Sequence, residues 1–373
     1  MASGEKAQTG AANPVSVDDS TPLYRELGVS ASKNGVRRAL QGLGNGLYPQ
    51  AFCKIVPDIA GDPDFCTVMH SDGTGTKALL AFDHWTGFAD RDALAWLAQD
   101  AMAMNLNDLA CVGAVDNIIY NSTVNRNSHV MSDYAVGCLV EGMEAVAARL
   151  HKAGISITGC GGETADVRDI VSTFSLDVAM VSRLPRAGVV DNGRIADGDV
   201  IVGLSSRGAD GGSGIGSNGF TLVRHRLQLP LSREVERELL SPTPVYTPVI
   251  RDILRQTGAR VHGMTHCTGG GQTKDLHCVS NKDIVKDNLF DPPSVFNMIA
   301  RAIGDDWRQM YAVFNMGHLI EVFTTAADAQ RVIDIAASHG IEARVVGHVS
   351  DTPAGRAPQL VIDSAKGLFK YTL

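Results

Sequence analysis

Residues 70–77, His-Ser-Asp-Gly-Thr-Gly-Thr-Lys, follow an apolar run and combine one carboxylate, two glycines, two threonines and a lysine. Glycine lets backbone N–H groups approach phosphate oxygens, lysine neutralises their charge, and aspartate can hold Mg²⁺, which prefers hard oxygen ligands. The segment departs from the Walker pattern because a single residue separates Gly75 from Lys77. The segment predicts a loop that binds a polyphosphate, with Asp72 and Lys77 as its charged residues. The alternative is an ordinary glycine-rich turn with an exposed lysine.

A second set of candidate residues lies on the helix predicted over 92–111. From residue 93 to residue 115 the only charged residues are Asp100 and Asp108, and Asn107 adjoins the second of them. At about 100° per residue the three polar side chains share an arc of roughly 100° with apolar neighbours, so both acids face inward. Because an unpaired buried carboxylate costs several kcal/mol, the acids require a metal ion, a lysine or backbone donors. The alternative is that they serve structure by capping neighbouring loops.

A third acid-bearing segment, Thr-Gly-Cys-Gly-Gly-Glu-Thr-Ala-Asp at 158–166, follows the strand predicted over 155–158. Paired glycines before an acid let the backbone approach a ligand closely, with Glu163 as a metal ligand or as the partner of a basic group. The segment is a weak signal by itself. Together the three segments predict a Mg²⁺–polyphosphate site that is assembled from several strand ends.

The second half of the chain adds two glycine-rich loops, at 208–219 and 268–271. The first ends in Ser-Asn-Gly before a predicted helix, where N–H groups and the helix dipole favour anions. The alternative interpretation of residues 209–216 is a flexible surface insertion. His262 and His266 lack a second pair of metal ligands, so we interpret them as ordinary loop histidines rather than as a zinc site.

The composition limits the classes of protein to which the chain can belong. Its 373 residues, 44% apolar and 20% charged, suffice for two globular domains with a sizeable core. A net charge of −8 argues against a general nucleic-acid binder, which must displace counterions from phosphates. Because no run of about 18 apolar residues occurs and the N-terminus lacks an apolar signal region, we expect a cytoplasmic protein without membrane contact. The seven cysteines form no CxxC pair, which favours reduced thiols.

Apolar alternation and helical periodicity predict an α/β (α+β) fold of two mixed α/β domains of similar size. We expect a flexible tail at 1–20, an N-terminal domain at 21–188 and a C-terminal domain at 189–373, divided at a turn-rich segment. The strands are predicted at 65–70, 117–124, 155–158, 171–183, 200–205, 260–264, 319–323 and 343–349. The helices are predicted at 92–111, 133–153, 219–227, 244–256, 293–303 and 326–339.

In this order the segments resemble those of the aminoimidazole ribonucleotide synthetase family, the phosphoribosylformylglycinamidine cyclo-ligases of purine biosynthesis. The resemblance runs from about Tyr24 to the C-terminus. It is carried by residues 71–77, 107–109, 161–165, 217–219, 241–243 with Tyr246, 268–271, and 310–311 with 314–317. Seven matches in the same order make the resemblance specific.

The resemblance implies two α/β domains, the first of which dimerises through its sheet so that ATP lies near the dimer interface. It implies that ATP, with Mg²⁺, drives ring closure of a ribonucleotide substrate. Asp72, Asp100, Asp108 and Glu163 would bind Mg²⁺, and Lys77 and Asp108 would be catalytic. The nucleotide would contact Asp72, Gly73, Gly75, Thr76, Lys77, Asn107, Gly161, Gly162 and Thr164. The substrate would contact Ser217, Asn218, Gly219, Thr268, Gly269, Gly270 and Gly271.

The departures from the family pattern fall on the substrate side. No histidine precedes Ser217, where the family has one, and Pro244 stands in place of an arginine. Residues 273–277 also replace the family motif that follows the triple glycine. We predict that the insertion at 209–216 is a mobile lid. The alternative function is a non-catalytic paralogue that binds nucleotide and regulates a partner.

Overall fold

The computed structural model describes residues 13–31, 33–40, 43–227, 231–257 and 260–373. The strands of this part of the chain are β1 (Val15–Ser16), β2 (Ile55–Pro57), β3 (Phe65–Gly73), β4 (Ile118–Arg126), β5 (Ile157–Asp166), β6 (Phe174–Pro185), β7 (Val200–Ser205), β8 (Val261–His266), β9 (Lys282–Lys286), β10 (His318–Thr324), β11 (Ala343–Asp351), β12 (Leu360–Ser364) and β13 (Gly367–Thr372). The helices are α1 (Pro22–Glu26), α2 (Asn34–Leu40), α3 (Lys77–Phe88), α4 (Asp92–Ala110), α5 (Asp133–Lys152), α6 (Phe220–Arg226), α7 (Arg233–Leu240), α8 (Thr247–Thr257), α9 (Asp275–Cys278), α10 (Ser294–Ala302), α11 (Trp307–Val313) and α12 (Ala326–Ser338).

The first half of the chain forms a five-stranded sheet in the order β2-β3-β6-β4-β5. Strand β6 buries every second residue, among them Phe174, Leu176, Val178 and Met180, and this period of two turns one sheet face toward the helices. Helix α4 packs on that face against β3 and β6, and α5 connects the parallel pair β4 and β5. The opposite face stays open to solvent.

The second half forms an eight-stranded sheet in the order β1-β13-β12-β9-β11-β7-β10-β8. Strand β10 is buried along its whole length, between β7 and β8. Its Glu321 carboxylate lies 2.6 Å from the Lys286 ammonium, which also lies 2.8 Å from Asp275. One ammonium thus pairs with two buried acids, so the second core contains an ionic network.

Helix α4 joins the two halves through its polar arc. The Asp100 carboxylate accepts hydrogen bonds from the N–H and hydroxyl of Thr243, at 2.8 and 2.6 Å. Asn107 accepts from the Tyr246 N–H at 2.9 Å and donates to the Pro244 carbonyl at 3.0 Å. The side chains of Asp100 and Asn107 therefore cap a loop of the second half. Loop capping was the structural alternative to ligand binding for the polar residues of this helix.

A buried ion pair completes this joint. The Lys77 ammonium lies 2.8 Å from Asp100 and donates to the carbonyls of Gly216 and Ser241, at 3.0 and 2.9 Å. Neither charged side chain has any exposed surface. The pair thus links the first turn of α3, the middle of α4 and two loops of the second half.

Two local predictions need correction. Residues 15–20 are not a tail, because Val15 and Ser16 pair with Tyr371 and Thr372 of β13, whereas residues 1–12 lie outside the described part. The strand predicted over 155–158 is too short, because β5 continues through the glycines at 161 and 162 to Asp166 as the partner of β4. Strand pairing here overrides the low strand propensity of glycine.

The two halves share the mixed α/β character that the periodicity predicts. The five-stranded sheet ends at Pro185 and the second sheet resumes at Val200, so a division at residue 188 falls between them. No helix in the described ranges combines the length and apolarity that crossing a bilayer requires. All seven cysteines are free thiols.

We predict that Asp100→Asn lowers the free energy of unfolding by about 3–5 kcal/mol, because it leaves the Lys77 ammonium buried without its counter-charge. Equilibrium urea unfolding measures the loss. The matched control is Asp83→Asn, which breaks a half-exposed ion pair with Arg224 and costs less than about 1 kcal/mol. Equal small losses in both variants would contradict the role of the buried pair.

Candidate functional site

A cavity of ≈ 450 Å³ lies where the two halves meet, and we call it the groove. Three glycine-rich segments line it: the end of β3 with Gly75 and Thr76, residues 217–219 before α6, and Gly269 with Gly270 after β8. Tyr24, residues 29–31 and Lys33 of the N-terminal segment close another side. The groove therefore brings together segments that the sequence singled out separately in its two halves.

Close packing explains two of the groove-side glycines. Gly219 has a φ of +78°, and a Cβ there would lie 2.2 Å from the Phe314 ring. Gly271 has a φ of +51°, and a Cβ there would lie 2.5 Å from the Phe314 carbonyl oxygen. Only glycine allows both a positive φ and such a short distance to a neighbouring residue. The two loops therefore pack closely against Phe314.

Two acidic residues line the groove. Asp72 is exposed at the end of β3, and Asp177 of β6 faces Gly73 in the register of the sheet. Burial, and next the charge of Asp72, raise the pKa of Asp177. Sequence analysis missed Asp177, although an acid within an otherwise apolar strand was a signal for it. Paired carboxylates at the mouth of a cavity are ligands that suit Mg²⁺.

Lys77 and Asp100 lie outside the lining of the groove. Burial lowers the pKa of Lys77 and raises that of Asp100, while their mutual attraction opposes both shifts. A phosphate contact by Lys77 would require the ammonium to leave this ion pair. Its catalytic role stays a prediction, and the role that the structure itself shows is the joint between the halves.

Asp108 lies in a different environment, between two imidazoles. His266 Nδ1 lies 2.6 Å from one carboxylate oxygen and His70 Nε2 lies 3.1 Å from the other. Burial would raise the pKa of Asp108, but the hydrogen bonds and charges of the two histidines outweigh it and hold that pKa well below 3.8. Asp108 and His70 line a second cavity of ≈ 410 Å³, which we call the side cavity.

Glu163 lies on the far side of the first sheet. Asp72 pairs with Val178, Val178 with Ser122, and Ser122 with Gly162, the neighbour of Glu163. These pairs span three strand spacings of about 4.8 Å each, so the backbone of Asp72 lies roughly 14 Å from that of Gly162. Within one chain the four predicted acids therefore do not converge: Asp72 lies at the groove, Asp100 in the ion pair, Asp108 at the side cavity and Glu163 at the sheet edge.

The other predicted nucleotide contacts are divided in the same way. Gly73, Gly75 and Thr76 line the groove, and the Thr76 hydroxyl bonds to that of Thr221 at 2.9 Å. Gly161, Gly162 and Thr164 line a separate cavity of ≈ 270 Å³ beside Glu163. Their assignment to the nucleotide stays a prediction.

The predicted substrate contacts lie together on the second half. Ser217, Asn218, Gly219, Gly269 and Gly270 line the groove. Thr268 and Gly271 are buried behind it, and the Lys274 ammonium donates to the Thr268 hydroxyl at 3.0 Å. Five of the seven predicted substrate contacts thus line the same cavity as Asp72.

The insertion at 209–216 is tied down over its second part. The Asn315 amide donates to the carbonyls of Gly214 and Ile215, both at 3.0 Å, and the Ile215 side chain is buried. The Ser241 hydroxyl accepts from the Ser213 N–H at 3.1 Å. A lid that moves as a whole would have to break these bonds, which confines the predicted mobility to the exposed residues 209–211.

Two family models match the chain, one for each half. The N-terminal domain of AIR synthase related proteins matches residues 53–184, and the C-terminal domain of AIR synthase related proteins matches residues 196–358. Together the matched ranges contain the groove segments 72–76, 217–219 and 269–270. The chain is thus similar to these proteins across the whole of the groove's glycine-rich lining.

Individual proteins agree with the family match. The chain is 33% identical to a phosphoribosylformylglycinamidine cyclo-ligase of Saccharolobus solfataricus over 69% of this chain and 71% of that one. It is 29% identical to the enzyme of that name from Methanocaldococcus jannaschii over 83% and 84%. Among solved structures, a ThiL complexed with AMPPCP and TMP has a TM-score of 0.58 at 12% identity, covering 91% of this chain and 96% of its own. Thermotoga maritima PurL complexed with FGAR has a TM-score of 0.57 at 15% identity, covering 91% and 48%.

We predict that Gly73→Ala lowers the free energy of unfolding by about 1–3 kcal/mol, because its Cβ would lie 2.2 Å from the Asp177 carboxylate and 2.5 Å from the Leu176 carbonyl oxygen. The matched control is Gly137→Ala in α5, where a Cβ meets nothing within 4 Å. Relief of the backbone entropy cost should stabilise that variant by about 0.5–1 kcal/mol. Chemical denaturation measures whether each variant is less or more stable than the parent. A Gly73→Ala protein as stable as the parent would refute the close packing of Gly73 against Asp177 and Leu176.

Proposed function

This chain belongs to the AIR synthase related protein family, and we propose that it closes the ring of formylglycinamidine ribonucleotide to give aminoimidazole ribonucleotide, with conversion of ATP to ADP and phosphate. It is a ligase of purine biosynthesis, as its cyclo-ligase relatives are. The observation that carries the proposal is the family match across both walls of the groove. The FGAR of the PurL complex and the AMPPCP of the ThiL complex support a ribonucleotide and an ATP site in this fold.

The proposed reaction needs positioning and charge neutralisation more than a dedicated nucleophile. ATP would phosphorylate the formyl amide oxygen of the substrate, an internal nitrogen would attack that carbon, and phosphate would leave. The groove suits such a transfer because Gly73, Gly75 and Thr76 of the first half line the same cavity as residues 217–219 and 269–270 of the second.

The acids that line the groove are suitable Mg²⁺ ligands, but not every ligand predicted from the sequence is. Asp72 and Asp177 are exposed acids that both line the cavity, whereas Asp100 is buried against Lys77. We propose Asp72 and Asp177 as the residues that would hold Mg²⁺. The bound ion would supply charge neutralisation of the phosphates. Glu163 lies away from the groove of its own chain. It can be a further Mg²⁺ ligand only at a site to which another copy of the chain contributes.

The open sheet face supports a proposed homodimer. Met69 of β3 and Ile119 of β4 both pair with Val181 of β6, so the three apolar side chains form one row on the face away from the helices. Met69 is 63% exposed and Ile119 is 47% exposed. Because a contiguous exposed apolar row is typical of an interaction surface, we propose that two copies of the chain pack sheet against sheet.

For the reaction, we expect Asp72→Asn and Asp177→Asn each to lower kcat/KM for ATP by at least about 100-fold, since each removes charge that neutralises phosphate. The assay follows aminoimidazole product and ADP from formylglycinamidine ribonucleotide and Mg-ATP. Asp169→Asn, whose side chain is 96% exposed, is the matched control and should keep full activity. Nucleotide binding without any turnover by the parent protein would instead favour the non-catalytic paralogue.

For the dimer, we expect the double variant Met69→Lys/Ile119→Lys to sediment as a monomer, because two facing copies would bury four unpaired ammonium groups. Analytical ultracentrifugation of the parent and the variant measures the mass. Val130→Lys, also an exposed apolar position, is the control outside the row. A parent protein that sediments as a monomer at micromolar concentration would end the proposal.

A further inference from the structure

Three side chains of the types that bind metals lie together beside the side cavity, two of them in its lining. Cys53 lies in the bend before β2, His70 on β3 and Asp108 on the last turn of α4. One ligand atom from each lies within 4.8 Å of the other two. Cys53 and Asp108 are buried and His70 is partly buried, so the thiol, imidazole and carboxylate form an enclosed cluster rather than a surface group of acids.

The hydrogen bonds of His70 direct its Nε2 atom toward a carboxylate, where a proton or a metal ion can lie between the two groups. The Asn105 amide nitrogen donates to the carbonyls of Asp72 and Ala101, at 3.1 and 3.0 Å, so its oxygen must accept from His70 Nδ1 at 2.9 Å. A neutral imidazole that donates from Nδ1 carries its lone pair on Nε2. That Nε2 faces an Asp108 oxygen at 3.1 Å, and two acceptors at this distance require a cation or a proton between them.

The other partners of the cluster also match a metal site. The second oxygen of Asp108 accepts from His266 Nδ1, which orients the carboxylate as outer ligands of metal sites do. The side cavity of ≈ 410 Å³ gives access to Asp108 and His70 and supplies an open side. A second group of metal-binding side chains in the described residues, Cys267 with His318 and Glu321, differs because the Lys286 ammonium lies 2.6 Å from its carboxylate.

We propose that Cys53, His70 and Asp108 bind a divalent transition metal ion such as Zn²⁺. Sulfur and nitrogen ligands select against Mg²⁺, which prefers an all-oxygen environment, and favour Zn²⁺ or Co²⁺. Three protein ligands with an open side leave one coordination position for water or a small molecule from the side cavity. The site is separate from the acids Asp72 and Asp177 of the groove, and the proposal does not rest on the ring-closure reaction.

The test is a titration of the chelator-treated full chain with Co²⁺, whose bond to a thiolate gives a charge-transfer absorption band. We expect one equivalent of Co²⁺ to produce this band, Zn²⁺ to remove it, and excess Mg²⁺ to leave it unchanged. Cys53→Ser should abolish the band, and His70→Ala should retain it while weakening Co²⁺ binding at least tenfold. The matched control, Cys160→Ser, replaces an exposed cysteine and should behave as the parent protein does.

Circular dichroism of each metal-free variant establishes that it is folded before the titration. A parent chain that binds no Co²⁺ in stoichiometric amount overturns the proposal. So does a band that survives in folded Cys53→Ser and disappears in Cys267→Ser, because the metal then lies in the second group. Loss of metal binding together with unchanged ring-closure activity would support the metal site and leave the proposed reaction intact.

Discussion

The burial of polar groups on α4 is the constraint on which the rest of the structure depends. Asp100, Asn107 and Asp108 lie on a helix that is packed on nearly all sides, so each must find its partner within the protein. The partners are in the second half of the chain, in the loop at 243–246 and at His266 of β8. Directional bonds at three points along one helix therefore determine how the two halves meet, and the groove is the space that remains beside this joint.

Glycine allows the walls of the groove to approach the joint. Gly73 leaves room for the Asp177 carboxylate, and Gly219 and Gly271 pack against the backbone and ring of Phe314. A Cβ at any of these positions would push two elements apart. The glycine-rich segments thus act as points of close packing between rigid elements.

The acids of the first half differ in function because their surroundings differ. Asp72 and Asp177 share an aqueous groove, where mutual repulsion favours a bound cation. Asp100 is neutralised by an ammonium in the core and is committed to stability. Asp108 lies between two imidazoles beside a thiol, which is the softer ligand environment. One domain therefore holds carboxylates in three environments: an exposed groove, a buried ion pair and a position between two histidines.

Local periodicity determined much of this protein from sequence alone: strand β7 at residues 200–205, helix α4 with its inward acids, and the glycine segments that line the groove. These features depend on residues that are close in sequence. Hydrophobic periodicity and residue propensity therefore predict them directly. Only the tertiary structure decided which partner each acid receives, because Asp100 bonds to a threonine 143 residues away and Asp108 to a histidine 158 residues away. It also decided that β5 runs through its glycines and that Lys77 faces the core, since both follow from pairing and packing with distant segments that no local pattern records.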